Sequence, residues 1–173
     1  MTQDPHPSEH RVTITDANLR KMRGLFASGV TAVTTALDGR LRGVTVSAFT
    51  SVSLDPPLVL IALANETTLR DMLAESGIFA VNLLSDDQEF LSERFAARAP
   101  IVNEEFEGVP CFIAVTGAPI LEQSLAWYDC RVEATHPGGD HTLFVGRVEA
   151  MGFSENREPL IYFANRYRQL RDR

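Results

Sequence analysis

The sequence predicts a mainly β fold with helical additions, on three observations. Runs suited to strands recur at Thr31 to Leu37, Leu41 to Phe49, Leu58 to Leu63, Ile78 to Leu84, Leu125 to Thr135 and Thr142 to Phe153. Turn signals separate two pairs of them, at Asp38-Gly39 and at Pro137-Gly138-Gly139-Asp140. Helical periodicity is confined to three short stretches. A barrel with helical additions satisfies this pattern, because closure removes exposed strand edges. An open α+β sheet is the alternative.

The elements follow in chain order. Residues 1–12 are read as a flexible polar tail with no apolar centre, so not as a secretory signal, and 13–173 as one domain. Thr15-Asp16 caps a helix over Ala17 to Ala27, with Leu19, Met22 and Phe26 on one face and Gly29 as its stop. The Thr31 strand turns at Asp38-Gly39 and returns as Leu41 to Phe49. Pro56-Pro57 bars a helix before Leu58 to Leu63, a continuously apolar strand expected to be buried on both faces. Thr67 to Ser76 reads as a helix closed by Gly77. Ser85 and Gln88 have the spacing of a capping box, opening a helix that carries Phe90, Leu91, Arg94 and Phe95 and ends before Pro100. Ala99 to Gly108 is a polar loop. The long strands Leu125 to Thr135 and Thr142 to Phe153 follow, then a short strand from Leu160 to Phe163 and a basic tail.

Composition excludes several function classes. A formal net charge of −7 repels phosphate backbones, which argues against nucleic acid as partner. The longest apolar stretch, Pro56 to Ala64, is far short of the roughly 20 residues of a membrane helix. A soluble cytoplasmic protein is therefore expected. The two cysteines, Cys111 and Cys130, have no CxxC spacing and read as buried thiols, and no metal is expected. No GxGxxG, P-loop, GxSxG or HExxH motif is present, so any dinucleotide binds by an architecture other than a Rossmann fold.

Four groups of residues can carry chemistry. In the run Gly43 to Pro57, Thr45, Ser47 and Phe49 alternate with Val44, Val46 and Ala48, and Ser51, Val52 and Ser53 follow. Small side chains, hydroxyls and backbone donors in a row suit either a wall for a flat heteroaromatic ring or a strand edge facing water. Asn65, Thr67 and Thr68 at a helix start suit either an anion or plain capping, and Glu66 adds a like charge. Arg94 and Phe95 suit either a phosphate and a cofactor ring or helix-end charge compensation and core packing. His141 beside a flexible turn sits either at a pocket mouth or on a surface loop. His136 is read as exposed.

The order of these pieces resembles the flavin reductase family with the FMN-binding split-barrel fold. The matching residues are Phe26-Ala-Ser-Gly-Val30, Gly43 through Pro57, Phe79-Ala-Val-Asn-Leu83, Arg94-Phe-Ala96, Gly139-Asp-His141 and Pro159 to Phe163 with Tyr167. They span about Asn18 to Leu170. The resemblance implies a split β-barrel, Greek-key-like, and an NAD(P)H-dependent flavin reductase. Such an enzyme passes hydride from NADH or NADPH to FMN or FAD and supplies reduced flavin to a separate monooxygenase. A non-enzymatic FMN-binding electron carrier is the other activity kept open. It further implies a homodimer and these roles: Thr45, Val46, Ser47, Ala48, Ser51, Val52 and Ser53 against the isoalloxazine, Asn65, Thr67 and Thr68 near the ribityl phosphate, Arg94 and Phe95 toward the phosphate or adenylate end, His141 beside the nicotinamide, and Tyr167 closing the pocket.

Overall fold

A computed structural model describes residues 11–98 and 105–170. The expected tail up to His10 and the expected loop from Ala99 to Glu104 lie outside the described residues. The chain runs α1 (Asp16–Gly24), β1 (Ser28–Gly29), β2 (Thr31–Leu37), β3 (Arg40–Val46), β4 (Phe49–Leu54), β5 (Pro57–Ala64), α2 (Thr68–Ser76) and β6 (Ile78–Leu83). A single 3-10 turn, Asp86–Gln88, leads into α3 (Glu89–Phe95). Then come β7 (Cys111–Ile113), β8 (Pro119–Leu121), β9 (Ala126–Gly138), β10 (His141–Phe153), β11 (Ile161–Phe163) and β12 (Arg166–Arg168).

Seven strands form one antiparallel sheet in the order β3-β2-β6-β9-β10-β5-β4. Its two edge strands, β3 and β4, are neighbours in sequence, joined by Ser47 and Ala48 alone. A flat seven-stranded sheet is roughly 29 Å wide. The three steps from Val46 to Phe49 reach roughly 10 Å. The sheet must therefore curl until its edges meet. No ladder joins β3 to β4 among the described residues, so the barrel is split at that seam. The core fills the curl with Val33, Ile61, Leu63, Leu73, Phe79, Val81 and Phe144, which α2 covers through Leu69 and Leu73. A second cluster joins Leu91 and Phe95 of α3 to Val30, Leu84, Leu121 and Leu160.

The Asp38-Gly39 turn, the helix closed by Gly77 and the Ser85–Gln88 capping box form as expected. Other elements differ for local reasons. α1 starts where expected, with Thr15 accepting from the Asn18 amide, but ends at Gly24, because the Leu25 and Phe26 amides turn back to the Met22 and Arg23 carbonyls. Leu19, Met22 and Phe26 are exposed rather than packed inward. The expected Leu41 to Phe49 strand is two strands, since pairing with β2 ends at Val46 and pairing with β5 begins at Phe49. Along β5 only Val59, Ile61 and Leu63 are buried, because Ala62 on the other face borders a cleft. The β9–β10 turn is shorter than expected, two residues with Gly139 at φ 72°.

The small strands β7, β8 and β12 lack enough residues to show a period. Side-chain bonds hold the first two. Buried Asp129 accepts from the Val115 and Thr116 amides at 2.8 and 2.9 Å, and buried Asn82 accepts from the Leu121 amide at 2.8 Å. The basic tail contains β12, paired to β11 across Ala164 and Asn165, both left-handed. Cys130 is buried and Cys111 half-buried.

Close packing between β10 and β6 generates a prediction. A Cβ at Gly146 would overlap the Phe79 ring, which is fully buried. Gly146→Ala should cost about 2 kcal/mol, lowering Tm by roughly 4–8 °C in thermal unfolding. An unchanged Tm would mean that this contact is loose.

Candidate active site

A cleft of about 330 Å³ opens at the seam where β3 gives way to β4. One wall is Val44 to Ala48, and the end of β5 supplies Ala62, Leu63 and Ala64. Within this wall the Ala48 carbonyl accepts from the Ala62 amide at 3.1 Å, and the Val46 carbonyl accepts from the Thr31 hydroxyl at 2.8 Å. The Ser47 and Ala48 amides donate to no group among the described residues. A break in pairing thus leaves two backbone donors beside small side chains, an arrangement that a flat ring with polar edge atoms can approach closely. These residues fit a flavin ring.

The wall is braced from behind. The Thr45 hydroxyl donates to the Ser92 carbonyl at 2.7 Å. A Cβ on Gly43 would lie 2.7 Å from the Phe95 ring, so only glycine lets α3 approach β3 this closely. Tyr162 and Tyr167 of the β11–β12 hairpin meet edge to face at 5.2 Å across another side of the cleft. The Tyr167 hydroxyl bonds Ser92 Oγ at 2.9 Å and donates to the Glu93 carboxylate. Burial, reinforced by Glu93, pushes the Tyr167 phenol up to about 12.

His141 starts β10 at the cleft, its Nδ1 2.7 Å from Asp140 Oδ1, so Nε2 is the atom left to meet a ligand. The His141 bond and charge hold the exposed Asp140 carboxyl below its usual range. Asn65 secures this turn. It donates to the Gly139 carbonyl at 3.2 Å, accepts from the Thr142 hydroxyl at 2.8 Å, and its amide donates to the Asp140 carbonyl at 2.9 Å.

Of the residues expected at the site, Thr45, Val46, Ser47, Ala48, Thr67, His141 and Tyr167 line the cleft. The others lie elsewhere. Ser51 and Val52 are exposed and Ser53 half-buried on β4, which has moved onto the sheet edge beside β5. Asn65 is occupied by the His141 turn. Thr67 donates to the Ala64 carbonyl at 2.9 Å instead of capping α2, and Thr68 is exposed at the first turn. Arg94 donates to the Glu107 carbonyl at 2.7 Å. Phe95 is buried between Gly43 and Phe106, whose ring centroid is 5.2 Å away.

Sequence reasoning missed Arg20, Arg23 and Phe26 at the cleft, together with Arg98, Tyr162 and Asn165. The i, i+3 spacing of Arg20 and Arg23 was the readable signal, since it places both on one helix face. Among the described residues the cleft lining holds three arginines and no carboxylate, although the chain has 23 acidic and 16 basic residues. This local reversal of charge favours an anionic ligand. Among the described residues no helix is long and apolar enough to cross a membrane, and no cluster of His, Cys, Asp or Glu could hold a metal ion.

A mainly β split barrel with a cationic cleft at its seam is the architecture of a flavin-handling protein. The family model described as flavin reductase like domain matches residues 22–171, and the chain belongs to that family. It is 42% identical over 160 residues to an NADH-dependent flavin reductase of a Rhodococcus species, covering 91% of this chain and 88% of that one. It is 43% identical over 145 residues to the reductase component of 4-hydroxyphenylacetate 3-monooxygenase from Thermus thermophilus, covering 84% and 90%. Among solved structures, the NADH:FAD oxidoreductase of Streptomyces globisporus C-1027 superimposes with a TM-score of 0.89 at 33% identity, covering 96% of this chain and 100% of that one.

The brace on Tyr167 has a pH signature. The folded value of about 12 exceeds the unfolded value of ~10. Between them the unfolded chain ionises first, so this residue's contribution is intact below pH ~10 and is lost as pH rises toward 12. Tyr167→Phe should destabilise the protein by about 1 kcal/mol at neutral pH. Denaturant titrations of both proteins should converge above pH ~10. A gap that stays constant with pH contradicts the role given to this phenol.

Proposed function

We infer that the chain is an NAD(P)H:flavin oxidoreductase that moves hydride from NADH or NADPH to FMN or FAD and releases reduced flavin to a separate monooxygenase. The observation that carries this reading is the cleft, where, among the described residues, two amides without partners meet an arginine-bearing lining that holds no carboxylate. Relatives named as NADH-dependent flavin reductases and as the reductase component of a monooxygenase support it, and favour a reductase over an electron carrier. A structure of the Streptomyces protein in complex with NAD and FAD fragments supports both cofactor classes.

In this reading the flavin supplies the two-electron acceptor, and the protein supplies orientation. The wall from Thr45 to Ala48 would hold the flavin ring, with the Ser47 and Ala48 amides as donors to it. His141, through Nε2, would help hold the nicotinamide. Productive transfer requires the reacting atoms to be held roughly 3–3.5 Å apart, which rigid walls on both sides secure. A bound nicotinamide would supply the hydride with both electrons of its C–H bond, the flavin would accept it, and one proton from water would complete the reduced flavin. Tyr167, kept neutral, closes the side toward α3.

Two copies form the working unit in this reading. The exposed Leu19, Met22, Leu25 and Phe26 of α1 and the segment after it form an apolar strip that a second copy can cover.

Purified protein should oxidise NADH or NADPH only after FMN or FAD is added, followed by loss of nicotinamide absorbance; no turnover with any flavin refutes the assignment. His141→Ala should raise the nicotinamide KM about tenfold while flavin affinity stays within about twofold. Equal losses in both would place His141 outside the nicotinamide site.

A further inference from the structure

We propose that Arg20 and Arg23 of α1 form a receptor for the diphosphate of a bound dinucleotide, making α1 a clamp across the mouth of the cleft. The inference rests on the flavin reductase reading above and adds a substrate-discriminating role to two residues.

The first observation concerns α1 itself. None of its residues is buried, so burial of its own side chains does not explain its position. It is tied to the body at its C-terminal end, where the Gly24 carbonyl accepts from the Ala164 amide at 2.7 Å and the Asn165 side chain packs against Gly24. The helix residues that reach the cleft are Arg20, Arg23 and Gly24. Two arginines three positions apart project from one face with Cβ atoms ~5–6 Å apart.

The second observation is electrostatic. Among the described residues neither Arg20 nor Arg23 is in a salt bridge, whereas Arg98, the third arginine of the lining, is engaged by Glu93 at 3.6 Å. Arg23 and His141 line the same cleft. In a chain of net charge −7, two arginines with no salt-bridge partner among the described residues at a cleft mouth favour an anion there.

The third observation is size. At about 330 Å³ the cleft is at the low end of small-molecule pockets, ~300–1,000 Å³. It accommodates a ring system and leaves the rest of a dinucleotide at the mouth, beside α1. A guanidinium is a planar fork that binds one phosphate through two N–H groups. Two of them at helical spacing match two linked phosphates, and a single phosphate engages one. The shared chemistry is a diphosphate, carried by FAD and by NADH but not by FMN or by reduced nicotinamide mononucleotide.

The test is the steady-state kinetics of Arg20→Gln/Arg23→Gln with these four compounds, with circular dichroism to confirm the fold. If the flavin's diphosphate is held, the KM for FAD rises about tenfold and that for FMN stays within about twofold. If the nicotinamide's is held, the KM for NADH rises about tenfold and that for the mononucleotide stays within about twofold. Either result supports the clamp, as does an affected KM that climbs more steeply with salt in the wild type than in the variant. Unchanged constants for all four, or equal rises for the mononucleotides and dinucleotides, overturn it. Wild-type protein without flavin-dependent turnover would instead defeat the flavin reductase reading, so the two failures are distinct.

Discussion

Ser47 and Ala48 tie together the two outermost strands of a seven-stranded sheet, and the rest of the molecule accommodates that short tether. Because the link is too short to cross a flat sheet, the sheet curls around Phe79, Phe144 and Ile61. Because β3 pairs only with β2 and β4 only with β5, the chain between them leaves both ladders, and its amides are not consumed by the sheet. The same constraint that shapes the barrel thus creates the donors of the site. Where the edges fail to join, α3 and the β11–β12 hairpin move in to brace the seam through Thr45, Ser92 and Tyr167.

Charge is organised around this seam. Acidic residues outnumber basic ones in the chain, yet among the described residues none lines the cleft. Glu93 and Asp140 come near it, and each is engaged by a lining residue, Glu93 by Tyr167 and Arg98, Asp140 by His141. An acidic exterior with a cationic opening steers an anionic cofactor toward one place on the surface. The His141 turn is held by backbone and amide bonds from Asn65, so its position relative to the wall is set by the β5–α2 connection.

Much of the frame was legible in the sequence because it rests on local chemistry. Asp38-Gly39 makes a tight turn, Gly77 a left-handed helix end, and Ser85 with Gln88 a reciprocal cap. The residues from Thr45 to Ala48, with His141 and Tyr167, were singled out by motif and lie together. What was not legible depends on distant partners. The break after Val46 follows from which strand pairs on each side. The role of Phe95 as a brace needs Gly43 opposite it, and the occupation of Asn65 needs the turn more than 70 residues later. The exposure of Leu19 and Met22 shows that an amphipathic pattern reports a face but not what covers it.

Amide hydrogen exchange at Ser47 and Ala48, with and without saturating FMN, tests the central claim most directly. These amides lack partners within the described protein and should exchange fast in the free state, then slow markedly when the flavin edge accepts from them. If flavin binds, and the slowing occurs elsewhere while these two amides remain fast, the ring does not lie at the seam and the account fails.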